Sequence, residues 1–263
     1  MPELPDVEVF RRYFNATALH QKIGSVSVRS QKILDGISAK QLKATLEGHP
    51  FKATRRHGKH LFAEVDSRWL VFHFGMTGFL KYFKQEQKRP EYEQLVIDFV
   101  NGYHLSYDCR RKLGRIRLID DLDTFISEKG LGPDALDDRF DLKAFEGRLN
   151  NTRSAIKSAL MNQEIMAGIG NIYSDEMLFQ AGIYPKMKAN QLDQTLIQKL
   201  FEVMKEVLKT AITCGANPDE LPNTYVIPRR GKDGECPKCG TGLTRITVSG
   251  RTGYYCHQCQ PEQ

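Results

Sequence analysis

Four cysteines near the C-terminus constrain this chain more than any other feature. Cys236-x2-Cys239 and Cys256-x2-Cys259 stand sixteen residues apart. A two-residue gap puts both thiolates in one tight turn, and two such knuckles complete a tetrahedral shell. The intervening stretch reads as a hairpin: 243–248, a turn at Ser249-Gly250, then Tyr254-Tyr255. The spacing predicts one zinc ion on Cys236, Cys239, Cys256 and Cys259. His257 is a possible substitute ligand, but four sulfurs already fill the shell. With the shell closed, the metal is structural, holding a hairpin whose turn carries Arg251.

The six cysteines in 263 residues are too few and too clustered for a secreted disulfide scaffold. No apolar run approaches the roughly 20 residues that span a bilayer. The start, Met1-Pro2-Glu3-Leu4-Pro5-Asp6, has neither a basic nor an apolar stretch of the kind a signal peptide needs. A cytoplasmic, soluble protein is expected, with no membrane partner. At 40% hydrophobic and 27% charged, the chain can bury a core. Its net charge of +6 gathers in three places: Arg55, Arg56, His57, Lys59 and His60; Arg110, Arg111, Lys112, Arg115 and Arg117; and Arg229, Arg230 and Lys232. Such clusters can neutralise phosphates or simply be solvated strand edges, and charge alone leaves both readings open.

The texture changes twice along the chain. Val7, Phe10 and Phe14 recur at helical spacing after Pro5-Asp6. From about residue 24 to 120, short β-branched and aromatic runs follow one another, such as 25–28, 61–65, 69–74 and 95–99. Asn101-Gly102 is a strong hairpin signal. Near Gly130-Leu131-Gly132-Pro133-Asp134 the pattern becomes helical, with helices expected over 141–149, 153–161, 172–180 and 192–213. The last carries an apolar stripe from Leu192 through Leu200, Met204 and Val207 to Ile212, and ends near Gly215. The fold class is α+β and multidomain: a β-sandwich with a leading helix over 1–128, a helical domain over 129–222, and a linker with the cysteine hairpin over 223–263.

The N-terminus suggests chemistry. Methionine before a small residue is normally removed, which would expose the secondary amine of Pro2. An α-amino group titrates at roughly 7.7–8.0, so a useful fraction is neutral at physiological pH. A neutral amine can attack a sugar C1′ and form an iminium, as a catalytic lysine does with a carbonyl. Glu3 stands beside it and could move protons at the sugar ring. An ordinary helix start would also place proline and acids here.

Further motifs bear on that choice. The N-terminal stretch, Gly168-Ile169-Gly170-Asn171-Ile172-Tyr173-Ser174-Asp175-Glu176 and the cysteine ribbon resemble the formamidopyrimidine-DNA glycosylase / endonuclease VIII family. Arg55-Arg56-His57-Gly58-Lys59, Phe74-Gly75-Met76-Thr77-Gly78 and Leu131-Gly132-Pro133-Asp134 extend the likeness, in order, over essentially the whole chain. The resemblance implies a helix–two-turn–helix domain and an enzyme that excises oxidised bases from double-stranded DNA and cleaves abasic sites by β,δ-elimination. It gives Pro2 as nucleophile, Glu3 as general acid/base, and Lys59 as the lysine that helps hold the lesion and its phosphate. Asn171, at a helix start whose free amides favour phosphate, and Arg251 are the implied phosphate contacts, and Glu176 an acid near the lesion. Met76 resembles the side chain that fills the gap left by a flipped nucleotide, and Arg110, with Arg111 beside it, the arginine at the orphaned base. A monomer suffices for such binding.

The chain departs from the family pattern in three places. Asp6 stands where glutamate is usual. Asp108-Cys109-Arg110-Arg111-Lys112-Leu113-Gly114 replaces Asp-x-Arg-Arg-Phe-Gly, one residue longer and without the phenylalanine wedge. Residues 215–235 number only 21, shorter than the bacterial loop that caps flipped 8-oxoguanine and closer to plant and fungal members. The alternative is a lesion-recognising DNA-binding protein that does not cut, against which Pro2, Glu3 and Lys59 all speak.

Overall fold

The computed structural model describes residues 1–262 of the protein. Met1–Pro2 and Asp6–Lys129 form one compact unit; Glu3–Pro5 group with the chain from Gly130 onward.

In the first unit, α1 (Leu4–Thr17) leads into β1 (Ile23–Val28), α2 (Ala39–Leu46), β2 (Phe51–His57), β3 (His60–Val65), β4 (Arg68–His73), β5 (Phe79–Phe83), β6 (Glu93–Phe99), β7 (His104–Asp108), β8 (Arg115–Ile119) and α3 (Leu122–Glu128). The strands make two antiparallel four-stranded sheets, ordered β1-β6-β7-β5 and β2-β3-β4-β8. Alternation decides which side chains go inward. Leu61, Ala63 and Val65 of β3 and Leu70 and Phe72 of β4 share one core with Leu95 and Ile97 of β6 and Leu105 and Tyr107 of β7. Val7 and Phe14 of α1 join that core, and Phe10 sets its ring 4.6 Å from Phe74. The β6–β7 hairpin turns at Asn101-Gly102 as the sequence predicts, with Gly102 at φ +80°. Strands β2, β5 and β8 and helices α2 and α3 carry weaker patterns; α2 is fixed by a capping box between Ser38 and Gln41.

In the second unit, α4 (Leu142–Asn150), α5 (Ile156–Met161), α6 (Asn171–Ala181) and α7 (Gln194–Thr213) precede a two-stranded hairpin, β9 (Thr244–Val248) and β10 (Arg251–Tyr255). Two helix starts differ from expectation, each for a local reason. α7 begins after Asp193, whose carboxylate accepts from the Leu196 amide at 2.8 Å and leaves Leu192 outside. α5 begins at Ile156 rather than near 153, because the backbone before it is spent elsewhere. Ser154 O accepts from Ala189 N, and Ile156 N donates to Met187 O. The α7 stripe is buried from Ile197 through Ile212. Among the described residues, no helix is long and apolar enough to cross a membrane.

α6 is buried on every side. Tyr173 through Phe179 are all inaccessible, including Ser174, Asp175 and Glu176. Polar groups so placed need partners, and that requirement shapes the site.

In the first unit, Gly114 is held by contact. A Cβ there would lie 1.6 Å from Tyr107 Oη, whose hydroxyl donates to His73 O at 3.0 Å. We expect Gly114→Ala to cost about 3 kcal/mol of stability by forcing these groups apart. The measurement is the urea midpoint at constant m-value; an unchanged midpoint would show that the neighbouring loops part freely.

Candidate active site

A helix start leaves its first amides without partners. At α6 the N-cap is Gly170, which has no side chain to supply one. Glu3 does so instead. Its Oε2 accepts from Gly170 N at 2.7 Å and Tyr173 N at 3.3 Å, and its Oε1 from Ile172 N at 2.8 Å. Leu4 N donates to Gly168 O at 2.9 Å. Glu3 is only 2% exposed. A Cβ on residue 170 would sit 2.4 Å from Glu3 Cδ, so glycine there is what admits the carboxylate. The expectation that these amides lie open to a phosphate is therefore corrected: a carboxylate of the same chain takes three of them. Pro2, next in sequence, is half-buried, and Met1 is exposed.

Asn171 is the first residue of the helix rather than its cap. Its Nδ2 donates to Thr252 O at 2.8 Å, while its Oδ1 is buried without a partner. That bond brings Asn171 beside Arg251, which opens β10 and is exposed. The turn before it, Ser249-Gly250, has φ of +47° and +70°, the two left-handed residues that a two-residue hairpin favours.

The four cysteine sulfurs lie within 4.8 Å of one another. Cys236 and Cys259 are 3.8 Å apart, and Cys239 and Cys256 3.5 Å. A tetrahedron with metal–sulfur bonds of about 2.3 Å has edges of about 3.8 Å, so the donor set fits a metal ion.

Lys59 occupies the turn between β2 and β3 and is 7% exposed, not the solvated strand-edge lysine that its cluster also allowed. Its charge is felt at His73, which burial and the cations of Lys59, Arg115 and Lys129 hold below the usual imidazole range. His60 is pushed down to about 3, chiefly by burial, with Lys129 among the neighbours that add to it. His60 and His73 line a hollow of about 200 Å³ together with Asp35, Arg115, Arg117 and Lys129. The field is positive, although Arg56 of the same cluster is committed to Glu8 at 3.3 Å.

Met76, Arg111 and Leu113 come together. Gly75, at φ +60°, has room only for hydrogen against Leu113 and Gly114. Arg111 Nη1 stands 3.1 Å from Met76 Sδ, and Met76 and Leu113 are 40% and 45% exposed. Arg110 instead lies over the Tyr92 ring at 5.4 Å.

Glu176 is fully buried. It accepts from Ile227 N at 2.9 Å and Gln180 Nε2 at 2.8 Å. A polar cluster beside it carries no motif in the sequence. Asp175 accepts from the buried Lys157 and, at 2.7 Å, from Arg230. The one signal was a lysine set among Ile156, Ala159 and Leu160 in a short apolar helix.

Family models match both units. Residues 1–116 fit the formamidopyrimidine-DNA glycosylase N-terminal domain, and residues 131–220 its H2TH domain. A formamidopyrimidine-DNA glycosylase of Pelobacter propionicus is 34% identical over 269 residues, covering 99% of this chain and all of the relative. One from Lactococcus lactis subsp. cremoris is 34% identical over 274 residues, covering 99% of each. Among solved structures, wild-type Lactococcus lactis Fpg (MutM) with DNA containing N7-benzyl-Fapy-dG superposes with a TM-score of 0.91 at 32% identity, over 99% of this chain and 100% of that one. MutM with carbocyclic 8-oxo-G DNA gives 0.90 at 33%, with the same coverage. The two relatives are bacterial. A fold and site of this kind define a DNA glycosylase of base excision repair. Within that class, the chain belongs to the formamidopyrimidine-DNA glycosylase family.

Burial raises the Glu176 carboxyl from 4.5 to about 7. A carboxyl raised in the fold contributes stability that is complete below its unfolded value and lost as pH rises through the folded one. The loss amounts to about 3 kcal/mol between roughly pH 4.5 and above pH 7. Glu176→Gln keeps an acceptor and removes the titration. Its stability relative to the parent is expected to rise between pH 5 and pH 8, measured by urea denaturation at each pH; a constant difference would contradict the assignment.

Proposed function

We propose that this DNA glycosylase is bifunctional and works through the amine of Pro2, freed by removal of Met1. The observation that carries this reading is the anchored Glu3. A side chain fixed by three amides and only 2% exposed ties down the residue next to Pro2, which favours a defined position for the nucleophilic nitrogen. The neutral amine attacks C1′ of the damaged nucleotide. A C1′–N bond to Pro2 forms, the bond to the base breaks, and the base leaves with a proton. Glu3, at the sugar, handles proton transfer during ring opening. Loss of a C2′ proton from the resulting iminium expels the 3′ phosphate, and a second elimination expels the 5′ phosphate. Hydrolysis then returns the free amine.

The substrate is double-stranded DNA with damaged bases or abasic sites. Lys59, with the cationic hollow beside it, and Asn171 with Arg251 supply phosphate contacts; the planar guanidinium of Arg251 suits bidentate recognition. Met76 and Leu113 fill the gap left by the flipped nucleotide, Leu113 standing in for the missing phenylalanine, while Arg110 and Arg111 reach the orphaned partner. Glu176, buried and bonded to Ile227 N, acts near the lesion by holding the 225–230 segment. The four cysteines hold one structural zinc ion, which gives the hairpin bearing Arg251 a fixed base. The protein acts as a monomer in the cytoplasm, associated with the nucleoid if bacterial.

Incubation with abasic-site duplex and borohydride is expected to attach DNA covalently to the N-terminal peptide. Attachment at Lys59 would sink the Pro2 assignment, and no adduct would favour a protein that recognises lesions without cutting.

The short 215–235 segment points to a lesion preference. 8-Oxoguanine is planar and stacks almost normally, so holding it outside the helix needs dedicated contacts; hydantoins stack poorly and flip at lower cost. Each 1.4 kcal/mol of missing contact is about a tenfold rate difference. Formamidopyrimidines and hydantoins are expected to leave at least about tenfold faster than 8-oxoguanine opposite cytosine in single-turnover assays on matched duplexes. Equal rates would refute the loop argument.

A further inference from the structure

A two-stranded hairpin leaves the outer edge of each strand unpaired. In β9–β10 the register pairs Arg251 with Val248 and Gly253 with Ile246 across the two-residue turn. Those residues turn their backbone groups inward, so Thr252 and Tyr254 turn theirs to the open edge of β10. α6 meets both. Asn171 and Asp175, four residues apart, share one helix face. Asn171 Nδ2 donates to Thr252 O at 2.8 Å, and Tyr254 N donates to Asp175 Oδ2 at 3.1 Å.

The approach is close. A Cβ on Gly253 would meet Asp175 Oδ1 at 2.6 Å and Lys157 Cε at 3.1 Å. The carboxylate that accepts from Tyr254 N is itself gripped from two sides. Lys157, with no exposed surface, donates to Asp175, to Ser174 Oγ at 3.0 Å and to Asn171 O at 3.1 Å. Arg230 donates to Asp175 Oδ2 through Nη2 at 2.7 Å and Nε at 3.1 Å, and lies over the Tyr254 ring at 5.5 Å. A buried carboxylate that accepts four such bonds, one from Lys157, two from Arg230 and one from Tyr254 N, has one place to be. The turn of the hairpin is held too, by Ser249 Oγ at 2.6 Å from Ser158 Oγ of α5.

We propose that Asp175 is the positioning residue of the hairpin: it pins the open edge of β10 to α6, so that Arg251 and Asn171 act as one rigid phosphate-binding unit. Arg230 links the 223–235 segment to the same carboxylate. This rests on the reading of Arg251 as a phosphate contact, and the test separates the two.

Four variants are compared: Asp175→Asn, Gly253→Ala, Arg251→Ala, and Gly253→Ala combined with Arg251→Ala. Gly253→Ala keeps every charged group and carries the test if Asp175→Asn fails to fold. Three quantities are read: zinc content, affinity for a duplex with a tetrahydrofuran abasic analogue at fixed salt, and hydrogen exchange of the Tyr254 amide in the free protein. Asp175→Asn and Gly253→Ala are expected to keep one zinc, to speed Tyr254 exchange, and to weaken binding about tenfold. Gly253→Ala should weaken binding no further once Arg251 is alanine. Unaltered Tyr254 exchange in both variants overturns the proposal. So does a Gly253→Ala penalty that persists in full without Arg251, because the hairpin would then act through something else. If Arg251→Ala alone leaves affinity unchanged while Tyr254 exchange speeds up in the other variants, the phosphate-contact reading fails and the anchoring stands.

Discussion

The carboxylate of Glu3 on the first amides of α6 is the bond on which most of this structure depends. A helix that starts at a glycine cap has open donors and a partial positive charge at its end. Here an acid from the third residue of the chain supplies the acceptor, which is why Glu3–Pro5 belong with the second unit although they open the chain. One contact thus caps α6 with the residue that follows the proposed nucleophile. It also explains Gly170: any side chain there would collide with Glu3. What reads in sequence as a phosphate-binding helix start is a socket for the N-terminus.

The same helix illustrates how burial assigns different work to adjacent acids. Asp175 and Glu176 are neighbours and both inaccessible. Asp175 faces an ammonium and a guanidinium. Glu176 faces a backbone amide and a side-chain amide, and its carboxyl rises to about 7 under the cost of burial. The ion-paired one fastens the cysteine hairpin through Tyr254 N, and the one bonded to amides fastens the 225–230 segment. Both sit on one turn of helix, so the two fastenings share a rigid base.

Charge in the basic clusters is likewise divided between structure and binding. Arg56 is spent on Glu8, Arg230 on Asp175, and Arg115 on the carbonyls of Lys112 and Gly114. Arg117 has no carboxylate partner among the described residues and stacks over Phe125, and Arg251 is free in solvent. Counting cations along the chain therefore overstates what is available to a phosphate backbone. Of these two, Arg251 opens its strand and is exposed, whereas Arg117 is half-buried at the middle of β8.

Much of the molecule was legible from the sequence because local rules set it. The cysteine spacing required two knuckles and a hairpin, Asn101-Gly102 required a tight turn, and the α7 stripe required a long buried face. The order of motifs identified the family. Tertiary structure decided whatever depended on partners remote in the chain. No spacing rule could place Glu3 on Gly170, 167 residues away, or reveal that Asn171 donates to Thr252. Nor could it show that the lysine in a short apolar helix meets Asp175 and that Arg230 completes the set. Periodicity reports which face of an element is buried, and motifs report which residues recur. Neither reports which buried polar group satisfies which, because that pairing is fixed only when packing removes water and each donor must take the acceptor within reach.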